Sequence, residues 1–120
     1  EVADDAAAVN WGGTWRMPTQ AEQSELKSKC TWTWTKQNGV NGYKVTSKSN
    51  GNSIFMPAAG RRYDSSLYYA GNVGDYWSSS LSTDYPYGAY FLTLGSSLVY
   101  STDLDRYFGY SVRPVCPYCL

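Results

Sequence analysis

Residues 15–29 read WRMPTQAEQSELKSK, and this stretch indicates how the fold begins. Thr19 and Glu22 have the spacing of a capping box, in which the side chain of each residue accepts a hydrogen bond from the backbone N–H of the other. Pro18 stands just before the cap, and Lys27 and Lys29 occupy the end of a helix where cations are favoured. We therefore expect a helix near residues 19–29.

The residues before this stretch predict a shorter helix. The run DDAAAVN at 4–10 is rich in alanine and opens with acids that suit a helix N-terminus. Gly12 and Gly13 follow and are expected to end it. We place this helix near residues 3–10.

The chain after Cys30 has the character of β-strands. The alternation TWTWT at 31–35 is typical of a strand, and the pairs Asn38-Gly39, Asn41-Gly42 and Asn50-Gly51 are turn signals. Residues 31–57 therefore predict a β-meander. Further strand candidates are DYWSSS (75–80), AYFLTL (89–94), LVYST (98–102) and GYSVRPV (109–115). The fold class expected is α+β, with two N-terminal helices and a mostly antiparallel sheet with long loops.

Length and charge limit the classes of function. A chain of 120 residues suits one domain, and its net charge of zero gives no field that would attract nucleic acid. No apolar run approaches 18 residues, so we expect no membrane insertion by this domain. The chain starts at Glu1 rather than Met, and we interpret it as a mature form or an excised domain from which any targeting segment has been removed.

The second half of the chain has an unusual composition. Eleven of the twelve tyrosines follow Gly60, and the same sixty residues contain no Lys, Glu, Gln or Met. Tyr, Ser, Gly and Asp dominate antibody loops, where tyrosine gives a large rigid contact area. In 91–95 we expect Leu92 and Leu94 to face the core, and Phe91, Thr93 and Gly95 to face outward. These features favour a binding surface over a half-exposed scaffold rich in tyrosine.

Four segments in the same order carry a resemblance to a known family. They are NWGGTWRMPTQAE (10–22), CTWTWTKQNGVNGYKVTSKSNGNSIFMPAAG (30–60), YWSSS (76–80) and GYSVRPV (109–115). Over about residues 3–115 the chain resembles the Fibrobacter succinogenes major paralogous domain family, which is common in gut bacteria of the Bacteroides group and in their phages. The family is similar to the C-type lectin fold, in the branch that includes formylglycine-generating enzymes.

Many family members resemble the variable proteins of diversity-generating retroelements. In those systems an error-prone reverse transcriptase randomises adenines of a template, and the copy replaces the 3′ end of the target gene. Randomised Asn codons yield Tyr, Ser, Asp, Gly, Leu, Phe, Thr, Val or Arg, but not Lys, Glu, Gln, Met or Trp. The composition after Gly60 is consistent with this, apart from Trp77 in the YWSSS motif.

The resemblance implies a division of the domain and a set of site residues. Residues 1–60 would be the scaffold half, 61–115 the variable half and 116–120 a tail. The family framework matches Pro57, Ala58, Ala59, Gly60, Leu67, Gly71, Trp77, Ser78, Ser79, Ala89, Leu92, Leu94, Val99, Arg106, Gly109, Ser111, Val112, Arg113 and Pro114. The variable, ligand-binding positions on one face would be Tyr63, Tyr68, Tyr69, Asp75, Asp84, Tyr85, Tyr87, Phe91, Thr93, Gly95, Leu98, Tyr100, Ser101, Thr102, Asp103, Leu104, Asp105, Tyr107, Phe108 and Tyr110.

The function expected is recognition without catalysis, cofactor or metal. The partner would be a protein or carbohydrate ligand on a host or target-cell surface. The domain would be displayed on a bacterial surface, secreted or carried on a phage virion. The alternative left open is a structural or adhesive domain, not diversified, of a bacterial surface or pilus protein.

Four chemical alternatives are disfavoured. The pair Cys116 and Cys119 has glutaredoxin spacing but leaves no room for a following helix, so we expect a tail, either reduced or bridged to Cys30. Formylglycine-type chemistry needs a cysteine pair, and residues 31–115 contain none. The calcium motifs of lectins are absent, and Asp103 and Asp105 are expected to be solvated loop residues. The chain has no histidine for a nucleophile–base pair.

Overall fold

The computed structural model describes residues 2–115, except for the side chain of Val2. Within them the fold is α+β, with two short helices and mostly antiparallel strands in three sheets. A 3-10 turn at Val2–Asp4 precedes the elements α1 (Ala6–Trp11), α2 (Gln20–Lys29), β1 (Cys30–Gln37), β2 (Val40–Ser47), β3 (Ser53–Pro57), β4 (Arg61–Tyr63), β5 (Ser66–Tyr68), β6 (Val73–Leu81), β7 (Gly88–Gly95) and β8 (Leu98–Asp105). The tail with Cys116 and Cys119, and any bridge from it to Cys30, lies outside the described residues.

Helix α1 begins later than the sequence predicts because Asp5 is its cap. The Asp5 carboxylate accepts hydrogen bonds from the backbone N–H groups of Ala7 at 2.9 Å and Ala8 at 3.0 Å. These two donors have no partner inside a helix, so the cap satisfies them. The same carboxylate accepts from the N–H of Met17 at 3.0 Å, which fixes α1 against the start of the 15–29 stretch.

Helix α2 confirms the predicted capping box. Thr19 Oγ1 accepts from the N–H of Glu22 at 3.2 Å, and Glu22 Oε1 accepts from the N–H of Thr19 at 2.9 Å. Gln23 is buried one residue later, and its Nε2 donates to the carbonyls of Tyr76 at 3.2 Å and Trp77 at 3.3 Å. Helix α2 is thereby joined to the central part of β6.

The predicted meander is confirmed as the antiparallel sheet β1–β2–β3. Asn38 and Gly39 form its first turn, and both have positive φ, of 50° and 80°, as a tight hairpin turn requires. The turn predicted at Asn41-Gly42 is wrong, since both residues lie inside β2. A Cβ on Gly42 would stand 2.4 Å from the carbonyl oxygen of Met56, so this glycine permits close strand contact instead.

The second half builds the sheet β6–β7–β8, with β7 in the centre, and the small hairpin β4–β5. Its three predicted strands at 75–80, 89–94 and 98–102 are confirmed. The strand predicted at 109–115 is wrong. Gly109, Ser111 and Val115 make only isolated bridges, to Arg62, Tyr76 and Arg16 respectively. Because each bridge goes to a different segment, residues 109–115 connect three parts of the fold without forming a ladder.

The main hydrophobic core lies between the two three-stranded sheets. Its buried members come from both halves of the chain: Tyr43, Val45, Met56, Ala58, Tyr76, Leu92 and Leu94. Leu26 of α2 packs against it. Leu92 and Leu94 face this core as predicted, and full burial of such a side chain stabilises the fold by about 2 kcal/mol. Among the residues described, no helix is both long and apolar enough to span a bilayer.

Candidate ligand-binding face

Seven exposed tyrosines distinguish the second half of the molecule. We call them the tyrosine surface: Tyr63, Tyr68, Tyr69, Tyr85, Tyr87, Tyr100 and Tyr107. Tyr87 is 71% exposed and Tyr107 is 62% exposed, which leaves most of each ring available to a partner. They come from β4, β5, β8 and the loops between strands. An exposed aromatic collection of this kind offers a large apolar contact area with a polar hydroxyl on each ring.

Part of this surface rests on a column of packed rings. Tyr63 and Tyr107 contact each other edge to face with centroids 5.7 Å apart, and both contact Phe108. Phe108 stacks on Tyr110 with an interplanar angle of 12° and a centroid distance of 5.7 Å. Tyr110 in turn packs on Trp77. The exposed rings are therefore supported by the outer face of the β6–β7–β8 sheet.

An ion pair lies beside this column. Asp75 is completely buried, and its Oδ2 accepts a hydrogen bond from Arg61 Nε at 2.9 Å. The Arg61 guanidinium lies over the rings of Tyr69, at 5.2 Å, and Tyr110, at 5.8 Å. Burial raises the pKa of Asp75, while Thr93 and the positive charge of Arg61 oppose that rise. The second oxygen, Oδ1, has no hydrogen-bond donor in satisfactory geometry.

Burial also affects Tyr110. Burial in this cluster, and then the negative charge of Asp75, raise the pKa of Tyr110 to about 12. Its hydroxyl is enclosed and has no hydrogen-bond partner among the described residues. The hydroxyl therefore stays protonated at neutral pH.

A pocket of about 390 Å³ opens where the 82–87 loop meets the end of β8. It is lined by Tyr85, Tyr87, Asp105, Arg106 and Tyr107. The rings of Tyr85 and Tyr87 are nearly perpendicular, at 74°, with centroids 6.1 Å apart. The Tyr85 hydroxyl donates to Asp105 Oδ1, and this hydrogen bond raises the pKa of Tyr85.

Four predicted site residues are buried rather than exposed. The expectation that Phe91 and Thr93 face outward to solvent is wrong, because Tyr110 and its neighbours cover that face of β7. Phe91 is 2% exposed, Asp75 is 0% exposed and Tyr110 is 9% exposed. All four lie on the sheet face away from the main core, where they form a second, smaller packed layer. This layer supports exposed rings through the contact of Tyr110 with Phe108.

The run from Leu98 to Asp105 does not lie on one face, because successive strand residues point to opposite sides. Tyr100 is in register with Thr93, and Thr102 with Phe91, on the outer face. Ser101 is in register with the core residue Leu92, and its Oγ accepts from Gln20 Nε2 of α2 at 3.4 Å.

The remaining predicted site residues differ in their exposure and in their hydrogen bonds. Leu98, Leu104 and Asp84 are exposed. Gly95 is half-buried, and its carbonyl accepts from the Tyr43 hydroxyl at 2.6 Å. Asp103 accepts from Ser82 Oγ at 2.5 Å and so holds the 82–87 loop rather than standing free.

Two residues of the face were not predicted as site residues. Nothing in the sequence singles out Arg61, and the family resemblance places Arg106 in the framework. Arg61 contacts Asp75 across 14 residues, so no sequence spacing could reveal the pair. The sequence gives only a weak indication of an Arg–Asp pair, because Asp and Arg are the only charged residue types after Gly60.

The chemistry available on this face is stacking, hydrogen bonding and charge pairing. No group of three or more His, Cys, Asp or Glu residues within 2–115 is arranged to hold a metal ion. Comparisons of the chain with protein-family models, with curated proteins and with solved structures find no match.

Proposed function

We propose that this chain is a recognition domain with a C-type lectin-like fold, belonging to the Fibrobacter succinogenes major paralogous domain family, whose tyrosine surface is a ligand-binding face diversified by a retroelement. The observation that carries the proposal is the placement of seven exposed tyrosines in the half of the chain that lacks Lys, Glu, Gln and Met. The proposed ligand is a protein or carbohydrate on a host or target-cell surface. The domain acts there without catalysis, displayed by a bacterium or a phage.

Three features of the molecule support this proposal. The sequence segments that carry the family resemblance include the Thr19–Glu22 capping box and the β1–β3 meander, both of which have the expected geometry. Leu92, Leu94 and Ala89, which match family framework positions, are buried. Most of the positions that match variable ones carry exposed or half-buried side chains. A fixed framework with a changeable surface allows one fold to serve many ligands.

The competing function is a structural or adhesive domain that associates with copies of itself. The same exposed rings would then bury against a neighbouring copy, so the two functions make opposite predictions about oligomerisation. Multi-angle light scattering at protein concentrations from roughly 1 to 100 µM distinguishes the two functions. A monomer throughout supports recognition of a different molecule, and a concentration-dependent oligomer supports the structural role.

Binding to immobilised glycans and immobilised cell-surface proteins on arrays tests the recognition function directly. The variant Y63S/Y87S/Y107S is expected to lose at least about tenfold in affinity for any spot that wild type binds, because ring contacts carry most of such interfaces. Trp11→Ser is the matched control, since Trp11 is exposed in the scaffold half. Equal binding by the triple variant would overturn the proposal.

A further inference from the structure

The pocket formed by Tyr85, Tyr87, Tyr107, Asp105 and Arg106 is held in place before any ligand arrives. The Tyr85 N–H donates to Ser82 Oγ at 3.0 Å, and Ser82 in turn donates to Asp103. Arg106 donates to the carbonyl of Tyr87 from its backbone N–H at 3.1 Å and from Nε at 3.4 Å. A loop fixed in this way loses little conformational entropy when a ligand binds.

The ring of Tyr85 owes its position to a glycine. A Cβ on Gly88 would lie 2.6 Å from Cδ2 of Tyr85, so only glycine leaves room for the ring. The Tyr85 hydroxyl is then fixed on the Asp105 carboxylate. Tyr87 stands nearly perpendicular to Tyr85, and Tyr107 completes the lining. Aromatic rings attract a cation that lies over a π face, and three of the five lining residues are tyrosines.

The charged part of the pocket lining consists of one carboxylate, on Asp105, and one guanidinium, on Arg106. That guanidinium is directed at backbone carbonyls of the loop, with Nη2 donating to Pro86 at 3.3 Å. An ionised carboxylate accepts about four hydrogen bonds, and the neighbouring hydroxyls of Tyr85 and Tyr107 take at most two at Asp105. Asp105 can therefore accept an N–H donor from a ligand.

We propose, as a refinement that rests on the proposed function, that this pocket binds a primary ammonium group, the chemistry of a lysine side chain on a protein partner. The rings contact the charged end and its methylene stem, and Asp105 accepts a hydrogen bond from the ammonium. A quaternary ammonium has no N–H to donate and fits less well. A neutral sugar would stack on the rings and donate a hydroxyl hydrogen bond to Asp105, but it carries no positive charge to pair with the carboxylate.

Aromatic ¹H–¹³C NMR of the full chain tests this assignment with defined probes. Nα-acetyl-lysine methylamide is expected to shift the ring resonances of Tyr85, Tyr87 and Tyr107. The neutral Nα,Nε-diacetyl analogue, tetramethylammonium and a methyl pyranoside are expected to bind at least about fivefold more weakly. Asp105→Asn should weaken lysine binding about tenfold. Asp64→Asn, the same charge change at an exposed position outside the pocket lining, should have little effect.

Three outcomes would overturn the inference, and the first two differ in what they say of the proposed function. If the pyranoside or the neutral analogue shifts these rings as strongly as the lysine probe, the pocket recognises a ligand but not an ammonium group. The recognition function then stands without this refinement. If the lysine probe shifts none of the three rings, the assignment is wrong, and array binding by wild type and Y63S/Y87S/Y107S decides the recognition function independently. Equal losses in Asp105→Asn and Asp64→Asn would contradict a local contact between Asp105 and the ammonium group.

Discussion

Arg61 Nε donates to Asp75 Oδ2 at 2.9 Å, and the Arg61 guanidinium lies over the rings of Tyr69 and Tyr110. The pair connects the β4–β5 hairpin to the outer face of β6, so it holds part of the tyrosine surface onto the sheet. A buried carboxylate is costly unless it is paired, and this one has only Arg61 as a charged hydrogen-bond partner among the described residues.

Arg61→Ala is expected to cost about 3 kcal/mol of unfolding free energy at pH 7, because it leaves the Asp75 carboxylate buried without its partner. Burial already raises the pKa of Asp75 in the folded protein, and loss of Arg61 raises it further. A raised folded-state pKa means that the penalty is complete above that pKa and is relieved progressively as pH falls from it towards the unfolded value. Urea unfolding at pH 7 and pH 4 should show that Arg61→Ala loses less unfolding free energy at pH 4 than at pH 7.

The double variant Arg61→Ala/Asp75→Asn is the control for this effect. Without a carboxylate to protonate, its stability difference from wild type should change less between the two pH values. A loss in Arg61→Ala that is the same at pH 4 and pH 7 would mean that Asp75 is not its cause.

Glu22→Gln is expected to remove a pH-dependent contribution at the start of α2. The hydrogen bond from Arg16 outweighs burial and lowers the pKa of Glu22 to about 2. A lowered folded-state pKa gives stability that is present above the unfolded value and lost as pH falls from about 4.5 towards 2. Since both side chains are more than a third exposed, the loss at pH 7 should be only about 1 kcal/mol.

The matched control is Glu25→Gln, which removes the ion pair with Lys29 on the exposed side of the same helix. It is expected to have almost no effect at any pH, because such surface pairs contribute little. Thermal unfolding from pH 2 to pH 7 measures both variants. If the difference in melting temperature between wild type and Glu22→Gln is as large at pH 2 as at pH 7, the carboxylate of Glu22 is not the source of the stability.

Tyr107→Ala and Tyr110→Ala should differ sharply although they are three residues apart. Tyr110 is enclosed by Trp77, Phe91 and Phe108, so its loss leaves a cavity and costs about 3 kcal/mol. Tyr107 is mostly exposed, and its removal should cost less than about 1 kcal/mol. Chemical denaturation distinguishes the two. Equal losses would mean that Tyr107 belongs to the packed layer and not to the surface.

Gly42→Ala should destabilise the meander by about 2 kcal/mol, because the added Cβ meets the backbone of β3. Gly95→Ala is a suitable control, since the nearest atom to its added Cβ is 3.7 Å away and the contact is ordinary. Thermal melting of the two variants gives the comparison. A neutral Gly42→Ala would show that β2 and β3 are farther apart than described.

Local signals in the sequence were sufficient for most elements of the fold. The capping box at Thr19 and Glu22 and the alternation in β1 each depend on residues a few positions apart, so they could be interpreted without tertiary structure. Asn41-Gly42 resembles a turn signal, but Gly42 instead allows β2 to pack closely against β3. The residues of β3 that it meets lie 14 or 15 positions later in the chain. Only tertiary pairing reveals that role.

The candidate site was harder to predict for the same reason. The alternation of side chains along β7 correctly predicts which residues face the core. It cannot show whether another segment covers the opposite face of the strand. Phe91 is buried by Tyr110, which arrives from an irregular segment that pairs with three different neighbours. The exposed tyrosines were predictable from composition, whereas the buried layer beneath them required the structure.

The measurement that tests the central claim most directly is sequencing of the genomic locus and of the last sixty codons of the gene in many cells. The account predicts a near-copy that differs only where it carries adenine, beside a reverse-transcriptase gene. Codon differences should fall at exposed positions such as Tyr63, Tyr87 and Tyr107 and spare the buried Leu92 and Leu94. Absence of such a repeat, or variation spread equally over the buried leucines, would contradict a diversified ligand-binding face.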